Sequence, residues 1–201
     1  MTILMKGKQF TVLAALFALV IGAGAAFYAW RAPAIGAVPP AVWQDFAAQF
    51  SGAEAFKPAH DLPIDLKMKD LRDQPVAWET LRGRVTLVNF WALWCPPCLK
   101  ELPSLKALED ARAGAEFDVV YISMDYPEDA AQLTDVMKFR GVPEIDTLYV
   151  GDLESWNALK LKALPTTLIL DRKGRVAYRL LGDIDWTGPG AQPFLDAILA
   201  E

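Results

Sequence analysis

Both cysteines of this chain lie in one short motif, Cys95-Pro96-Pro97-Cys98. The motif follows an apolar, β-branched run that predicts a buried strand, and a predicted helix begins within it. A helix N-terminus presents free backbone amides and the positive end of the helix dipole, so the first cysteine is expected to ionise readily. We expect Cys95, at the exposed start of the helix, to attack a substrate disulfide. Cys98, one turn further in, is then expected to resolve the mixed disulfide.

Two other interpretations of the motif use the same residues. A purely stabilising bridge between Cys95 and Cys98 would close a very short loop and would therefore restrain the unfolded chain little. The second interpretation is a zinc site shared between two chains. Two cysteines and one histidine exclude a Cys₄ or Cys₂His₂ site within one chain, so a second chain would have to supply the other ligands. Pro96 and Pro97 fit a first helical turn, where a missing amide proton costs nothing, and they stiffen the loop. The motif therefore favours redox chemistry.

The overall composition is that of a folded domain of ordinary size. Hydrophobic residues make up 53% of the 201 residues and charged residues 22%, which allows a core and argues against global disorder. The net charge is −5, whereas nucleic-acid-binding domains usually carry a basic patch. A nucleic-acid binder and a disulfide-rich scaffold are therefore both disfavoured.

The N-terminal region predicts a membrane segment. Residues 10–30 form an uncharged, mostly apolar run of 21 residues, about the length that spans a bilayer as a helix. Lys6 and Lys8 precede this run, so residues 1–9 are expected to remain in the cytoplasm. The alternative is a cleaved signal peptide with the small-residue site Ala23-Gly24-Ala25, although the run is longer than a signal-peptide core of about 7–15 residues. Both alternatives export the rest of the chain.

The exported part is predicted to consist of a linker, residues 31–60, and a domain, residues 61–201. Within the linker, residues 41–50 have apolar side chains at helical spacing and form either a short amphipathic helix or the end of the linker. The predicted strands are 64–68, 76–78, 84–91, 117–123, 147–150, 166–170 and 175–181, and the predicted helices are 96–113, 127–139, 154–161 and 193–201. Asp171-Arg172-Lys173-Gly174 predicts a hairpin between the last two strands. This order implies an α/β fold with a central mixed β-sheet and helices on both faces.

The stretch from Val88 to Pro103, VNFWALWCPPCLKELP, resembles the active-site region of the thioredoxin superfamily. It is most similar to the membrane-anchored TlpA/ResA/CcmG-like thiol–disulfide oxidoreductases of bacteria. Asn89 stands where cytosolic thioredoxins carry a buried aspartate, and Pro103 matches the proline that kinks the active-site helix. The similarity covers about residues 62–201. It implies a thioredoxin-like fold in which residues 127–162 correspond to the αβ insertion of this group.

The resemblance also implies roles for residues around the cysteines. Glu101 matches the acidic residue of the group, which would have a raised pKa and accept protons during exchange; a solvated helix position is the alternative. Pro165 matches a cis proline that packs against the motif, and a trans proline before a strand is the alternative. The backbone of Leu164 would form strand-like hydrogen bonds with the substrate chain, and Thr166 would contact the substrate beside it. Trp94 would shape the contact surface rather than only fill the core.

As a whole, the resemblance implies a reductant of specific protein disulfides that faces the periplasm from the bacterial cytoplasmic membrane. The implied substrates are apocytochrome c or copper-assembly proteins, and a CcdA- or DsbD-like membrane protein would supply electrons. No cofactor beyond the cysteine pair is implied, and a monomer is expected. A DsbA-like oxidant is the alternative. A peroxiredoxin-like peroxidase is less favoured, because Ala92 stands where such enzymes need Thr or Ser. A Sco-type copper protein would need a downstream histidine, but His60 lies upstream. A non-catalytic binding module is disfavoured because both cysteines are present.

Overall fold

The computed structural model describes residues 35–50, 52–62, 66–150 and 153–200. The helices are α1 (Pro40–Ala47), α2 (Pro96–Arg112), α3 (Ala130–Phe139), α4 (Leu153–Leu159) and α5 (Gln192–Leu199), and a 3₁₀ turn covers Trp78–Leu81. The strands are β1 (Gly52–His60), β2 (Met68–Lys69), β3 (Pro75–Val76), β4 (Val85–Trp91), β5 (Phe117–Ser123), β6 (Thr147–Tyr149), β7 (Thr166–Leu170) and β8 (Val176–Leu181). The described strands form one sheet in the order β1-β8-β7-β4-β5-β6-β2-β3.

Strand β4 lies inside the sheet, with β5 parallel on one side and β7 antiparallel on the other. Every residue of β4 is buried, as expected for an apolar, β-branched strand that is covered on both faces. Its side chains alternate between two cores: Leu87 and Trp91 belong to one, and Val88 and Phe90 to the other. The predicted α/β fold with a mixed sheet is therefore confirmed.

The first core packs α2 against the sheet. Leu102, Leu105 and Leu108 of α2 are buried there, and Leu99 is partly buried against the same core. These leucines recur every three residues, so they follow one side of the helix. Their burial fixes the helix that carries the cysteine motif at its N-terminus.

Two parts of the predicted linker instead form regular structure, Pro40–Ala47 as α1 and Gly52–His60 as β1. Pro40 begins α1, a position where a proline has no amide bond to lose. Phe46 is buried, and its ring stacks on Phe194 of α5 with centroids 4.3 Å apart. The short-helix alternative is therefore the correct one. Local composition was not enough to identify this helix, because Phe194, on which Phe46 packs, comes from the other end of the chain.

Strand β1 pairs antiparallel with β8, from Gly52 opposite Leu181 to His60 opposite Val176. The pairing is irregular between Ala55 and His60, and Pro58 falls in that interval. A proline is tolerated there because β1 is an edge strand, where an absent amide breaks no interior ladder. The domain thus begins before residue 61.

Most of the remaining predicted strands and helices occur within a few residues of their predicted ends, but the predicted strand 64–68 shares only Met68 with β2, and the predicted strand 76–78 shares only Val76 with β3 because Trp78 begins the 3₁₀ turn. The predicted hairpin joins β7 to β8, with Gly174 at φ +78° in its turn and Asp171 accepting from the Lys173 amide at 2.9 Å. Of the predicted strand 64–68, residues 64 and 65 lie outside the described residues.

The predicted membrane segment, residues 10–30, and the predicted cytoplasmic residues 1–9 also lie outside the described residues. None of the helices in the described ranges has both the length and the apolar composition needed to cross a bilayer.

Candidate active site

The cysteine motif lies where β4 ends and α2 begins. Cys95 is the N-cap residue of α2, in an extended conformation, and its Sγ accepts a hydrogen bond from the Cys98 amide at 3.3 Å. Pro96 and Pro97 occupy the first helical turn, as predicted, and both are exposed. Since Pro96 and Pro97 have no amide proton, the Cys98 amide is the helix N–H that reaches the Cys95 sulfur, and such a bond stabilises a thiolate when the pair is reduced.

Cys95 and Cys98 form a disulfide, with Cα atoms 5.3 Å apart. Cys95 is only 4% exposed and Cys98 only 1%, so the expectation that Cys95 lies exposed does not hold in this oxidised state. The Cys95 sulfur faces the start of the helix, because it is bonded to the Cys98 sulfur and accepts a hydrogen bond from the Cys98 amide. Trp94, next to the disulfide, is 57% exposed and is therefore not a core residue.

Asp125, which the sequence analysis did not identify, holds the loop before Cys95. Its Oδ2 accepts from the Leu93 amide at 2.9 Å and from the Ser123 hydroxyl at 2.8 Å. Burial raises the pKa of Asp125, and its hydrogen bonds to Leu93 and Ser123 oppose that rise. The signal was available, because the loops that follow neighbouring parallel strands meet at one edge of a sheet, and β4 and β5 are such a pair.

The second segment at this edge contains Pro165. The Leu164–Pro165 peptide bond is cis, the isomer that the resemblance implies. Strand pairing places Thr166 opposite Phe90, so Pro165 lies at the end of β4 from which the loop to Cys95 departs. Leu164 is half-buried, whereas Thr166 is fully buried and its hydroxyl donates to the Ala163 carbonyl at 2.7 Å. Thr166 is also paired with strands on both sides, opposite Phe90 and Leu181, so neither its side chain nor its backbone is exposed for the predicted substrate contact.

Glu101 is buried one helical turn after Cys98, with 2% of its surface exposed. Its Oε1 accepts from the Trp186 indole at 2.8 Å and from the Ile184 amide at 3.2 Å. Its Oε2 accepts from Asn89 Nδ2 at 3.0 Å. Burial raises the pKa of Glu101 to about 7, although these three hydrogen bonds oppose the rise. Of the two alternatives, the buried carboxyl is the one observed.

Sequence reasoning did not find Trp186 and did not give Asn89 its partner. Asn89 is fully buried and also donates to Thr167 Oγ1 at 3.0 Å, while its Oδ1 has no partner among the described residues. Trp186 is fully buried too and comes from the segment between β8 and α5. Trp186 lies 85 residues after Glu101, so no local pattern connects the two side chains.

Among the described residues, no cluster of three or more His, Cys, Asp or Glu side chains is placed to hold a metal ion. The cysteine pair is itself a redox group that can carry two electrons. The arrangement can therefore exchange thiols and disulfides with no further group.

Comparison with known proteins agrees with this geometry. Residues 50–199 match the Redoxin family. The chain is 25% identical over 151 residues to the sporulation thiol-disulfide oxidoreductase A of Bacillus subtilis, which covers 72% of this chain and 88% of that protein. It is 29% identical over 131 residues to the thiol:disulfide interchange protein DsbE of Allochromatium vinosum, covering 64% of this chain and 70% of that protein.

A solved structure supports the fold. The thioredoxin domain of a thiol-disulfide oxidoreductase from Bacteroides vulgatus superposes with a TM-score of 0.57 at 17% identity, covering 71% of this chain and 98% of that one. The fold is thus thioredoxin-like, as the resemblance implied. The chain belongs to the Redoxin family, and it carries the cysteine pair of a thiol–disulfide oxidoreductase.

Proposed function

We propose that this protein reduces disulfides in specific partner proteins outside the cytoplasm, through Cys95 and Cys98. The observation that carries the proposal is the Cys95–Cys98 disulfide at the N-terminus of α2, at the same sheet edge as cis-Pro165. Exposed Trp94, Pro96 and Pro97 adjoin this disulfide and provide a surface for a protein substrate. Relatives named as thiol–disulfide oxidoreductases support the same function.

The reaction proceeds through a mixed disulfide. The Cys95 thiolate attacks one sulfur of the substrate disulfide, so a Cys95–substrate bond forms, the substrate S–S bond breaks, and the first substrate sulfur leaves as a thiolate. Cys98 then loses its proton and attacks Cys95 Sγ, which releases the second substrate sulfur. The substrate gains two electrons from the cysteine pair; its two sulfurs take up the proton that Cys98 released and one proton from water, and the enzyme is left with the Cys95–Cys98 disulfide.

Glu101 is the group that accepts the Cys98 proton in this proposal. A carboxyl whose pKa is about 7 is ionised in a large fraction of molecules near neutral pH and still returns its proton readily. Its place one turn after Cys98 puts both side chains on one side of α2.

The expected substrates are the haem-binding cysteines of apocytochrome c or the cysteines of copper-assembly proteins for cytochrome oxidase. A CcdA- or DsbD-like membrane protein would return electrons to the pair. Residues 10–30 would anchor the protein in the bacterial cytoplasmic membrane with its N-terminus inside. The motif resemblance and the apolar run support these assignments.

Trapping in cells tests the catalytic assignment. In the full-length protein, Cys98→Ser should accumulate a mixed disulfide between Cys95 and its partner, because the resolving thiol is absent. Cys95→Ser is the matched control and should trap nothing. After mild reduction of intact cells, a membrane-impermeant maleimide should label Cys95 of the Cys98→Ser variant. Equal trapping by both variants would contradict the roles of the two cysteines, and labelling only after lysis would contradict the location.

The reduction potential tests the direction of electron flow. Equilibrating the full-length protein with defined thiol/disulfide mixtures should give a value near or below about −200 mV, toward the thioredoxin value of about −270 mV. A potential near about −120 mV would instead identify a DsbA-like oxidant.

A further inference from the structure

The segment of residues 183–186, between β8 and α5, is bonded along the first turns of α2. The Ile184 amide and the Trp186 indole both donate to Glu101 Oε1. Ser104, one turn further along α2, donates to the Ile184 carbonyl at 3.1 Å and accepts from the Trp186 amide at 3.3 Å. These bonds fix the segment 183–186 relative to the helix that carries the cysteines.

We propose that Trp186 is a positioning residue, whose indole N–H holds the Glu101 carboxyl in the orientation and charge state that proton exchange with Cys98 requires. The role of Glu101 toward Cys98 rests on the proposed function, whereas the link between Trp186 and Glu101 rests on geometry alone. The indole bond is the shortest that Glu101 accepts, at 2.8 Å, against 3.0 Å from Asn89 and 3.2 Å from Ile184. Trp186 is fully buried, so water does not compete for this bond.

One charged group near Glu101, Asp183, shifts the Glu101 pKa in the opposite direction to the hydrogen bonds. Asp183, on the same segment as Trp186, raises the pKa of Glu101 through its negative charge. Lys100 of α2 forms a salt bridge with Asp183 at 2.6 Å and lies at the surface. Asp185 is exposed, and Asn89 of β4 and Ile184 are uncharged. Without the indole N–H, burial and Asp183 would meet less opposition, so the pKa of Glu101 would rise further.

A higher pKa reduces the fraction of Glu101 that is able to take a proton. We expect the titration midpoint of Glu101 in Trp186→Phe to rise by about one pH unit, the effect of losing one buried hydrogen bond to a charged group. At pH 7 this change would lower the ionised fraction about five-fold. Exchange at neutral pH should slow by a similar factor, and the pH–rate profile should move upward.

The test compares Trp186→Phe with Trp78→Phe in the full-length protein. Trp78 is also buried, but its indole N–H has no hydrogen-bond partner among the described residues, so Trp78→Phe removes similar volume without removing such a bond. Carbon-13 NMR of the Glu101 carboxyl in the oxidised protein should show the rise in midpoint only for Trp186→Phe. In the Glu101→Gln background, Trp186→Phe should leave the pH profile of disulfide reduction unchanged.

A measurement on the unmutated protein keeps the proposal testable if Trp186→Phe does not fold. The indole proton resonance of Trp186 should titrate with the same midpoint as the Glu101 carboxyl. Separate midpoints, or equal effects of the two tryptophan variants, would overturn the proposal. If the midpoints agree but the protein reduces no disulfide at any pH, the proposed function fails and the link between Trp186 and Glu101 stands.

Discussion

At the scale of single residues, the site combines a cysteine pair with a buried carboxyl. Glu101 is 2% exposed, and its partners Asn89 and Trp186 are fully buried. An ionised carboxylate in such surroundings is costly, which is why burial raises the pKa of Glu101 to about 7. The same residue that serves the proposed proton exchange therefore makes stability depend on pH.

Replacing Glu101 with Gln should remove part of that pH dependence. The pKa of Glu101 is about 7 in the folded protein, against 4.5 for a glutamate in the unfolded chain, so between these values the folded state binds more protons than the unfolded state. This stabilisation is fully present below pH 4.5 and is lost as pH rises through about 7. The loss amounts to on the order of 3 kcal/mol, and Glu101→Gln should flatten it.

Denaturant titrations of the oxidised protein at about pH 5 and about pH 8 measure this difference. Glutamine keeps the shape of the side chain, and its carbonyl still accepts from the Ile184 amide and the Trp186 indole. The Asn89 amide is able to flip so that its Oδ1, which has no partner among the described residues, accepts from the new amide. An unchanged dependence of the unfolding free energy on pH would show that Glu101 does not titrate in this range.

At the scale of elements, α1 is part of the core although its sequence is typical of a linker. Phe46 of α1 stacks on Phe194, and Trp43 packs on Tyr178 of β8 with centroids 4.9 Å apart. The helix therefore covers α5 and the sheet. Its removal would expose this part of the first core to water.

Phe46→Ala should destabilise the domain by about 3–5 kcal/mol, the usual cost of truncating a buried phenylalanine. Gln44→Ala, on the exposed side of α1, is the matched control and should change stability by less than about 0.5 kcal/mol. Denaturant titration of both variants checks the prediction. Similar stabilities for the two variants would mean that α1 contributes little to the domain.

At the scale of the whole molecule, the reactive disulfide is buried, whereas Trp94, Pro96 and Pro97 beside it are exposed. Trp94 is 57% exposed beside Cys95. Phe139 of α3 is a second exposed large apolar side chain, 89% exposed, on a different element. A buried disulfide reacts only with partners that fit its surroundings. Recognition of a protein substrate should therefore depend on Trp94.

Trp94→Ala should lower kcat/KM for a protein disulfide by about ten-fold, because aromatic side chains at the centre of an interface contribute strongly to binding. Reduction of glutathione disulfide should change less than about two-fold, since a small substrate makes few of these contacts. Phe139→Ala is the control and should alter neither rate. Equal losses for both substrates in Trp94→Ala would indicate an effect on the cysteine pair instead of on recognition.

Local patterns predicted most strands and helices because their signals are contained in the elements themselves. The buried run of β4, the leucines of α2 and the Asp171–Gly174 turn each identified an element before any tertiary contact was known. Patterns left residues 41–50 open between a short helix and the end of a linker, and they missed the strand Gly52–His60, where Pro58 suggested a linker. Pro40 and Pro58 are compatible with a helix start and an edge strand, and only pairing with β8 and α5 distinguishes the two outcomes.

The sequence by itself was enough to predict redox chemistry, because a Cys-x-x-Cys motif between a strand and a helix is identified without any distant residue. Only the tertiary structure decided the surroundings of that motif. Trp186 lies 85 residues after Glu101 and Asn89 lies 12 residues before it, and folding brings both to the Glu101 carboxyl. Burial and hydrogen bonding set the pKa of Glu101, and both depend on residues that folding alone brings together.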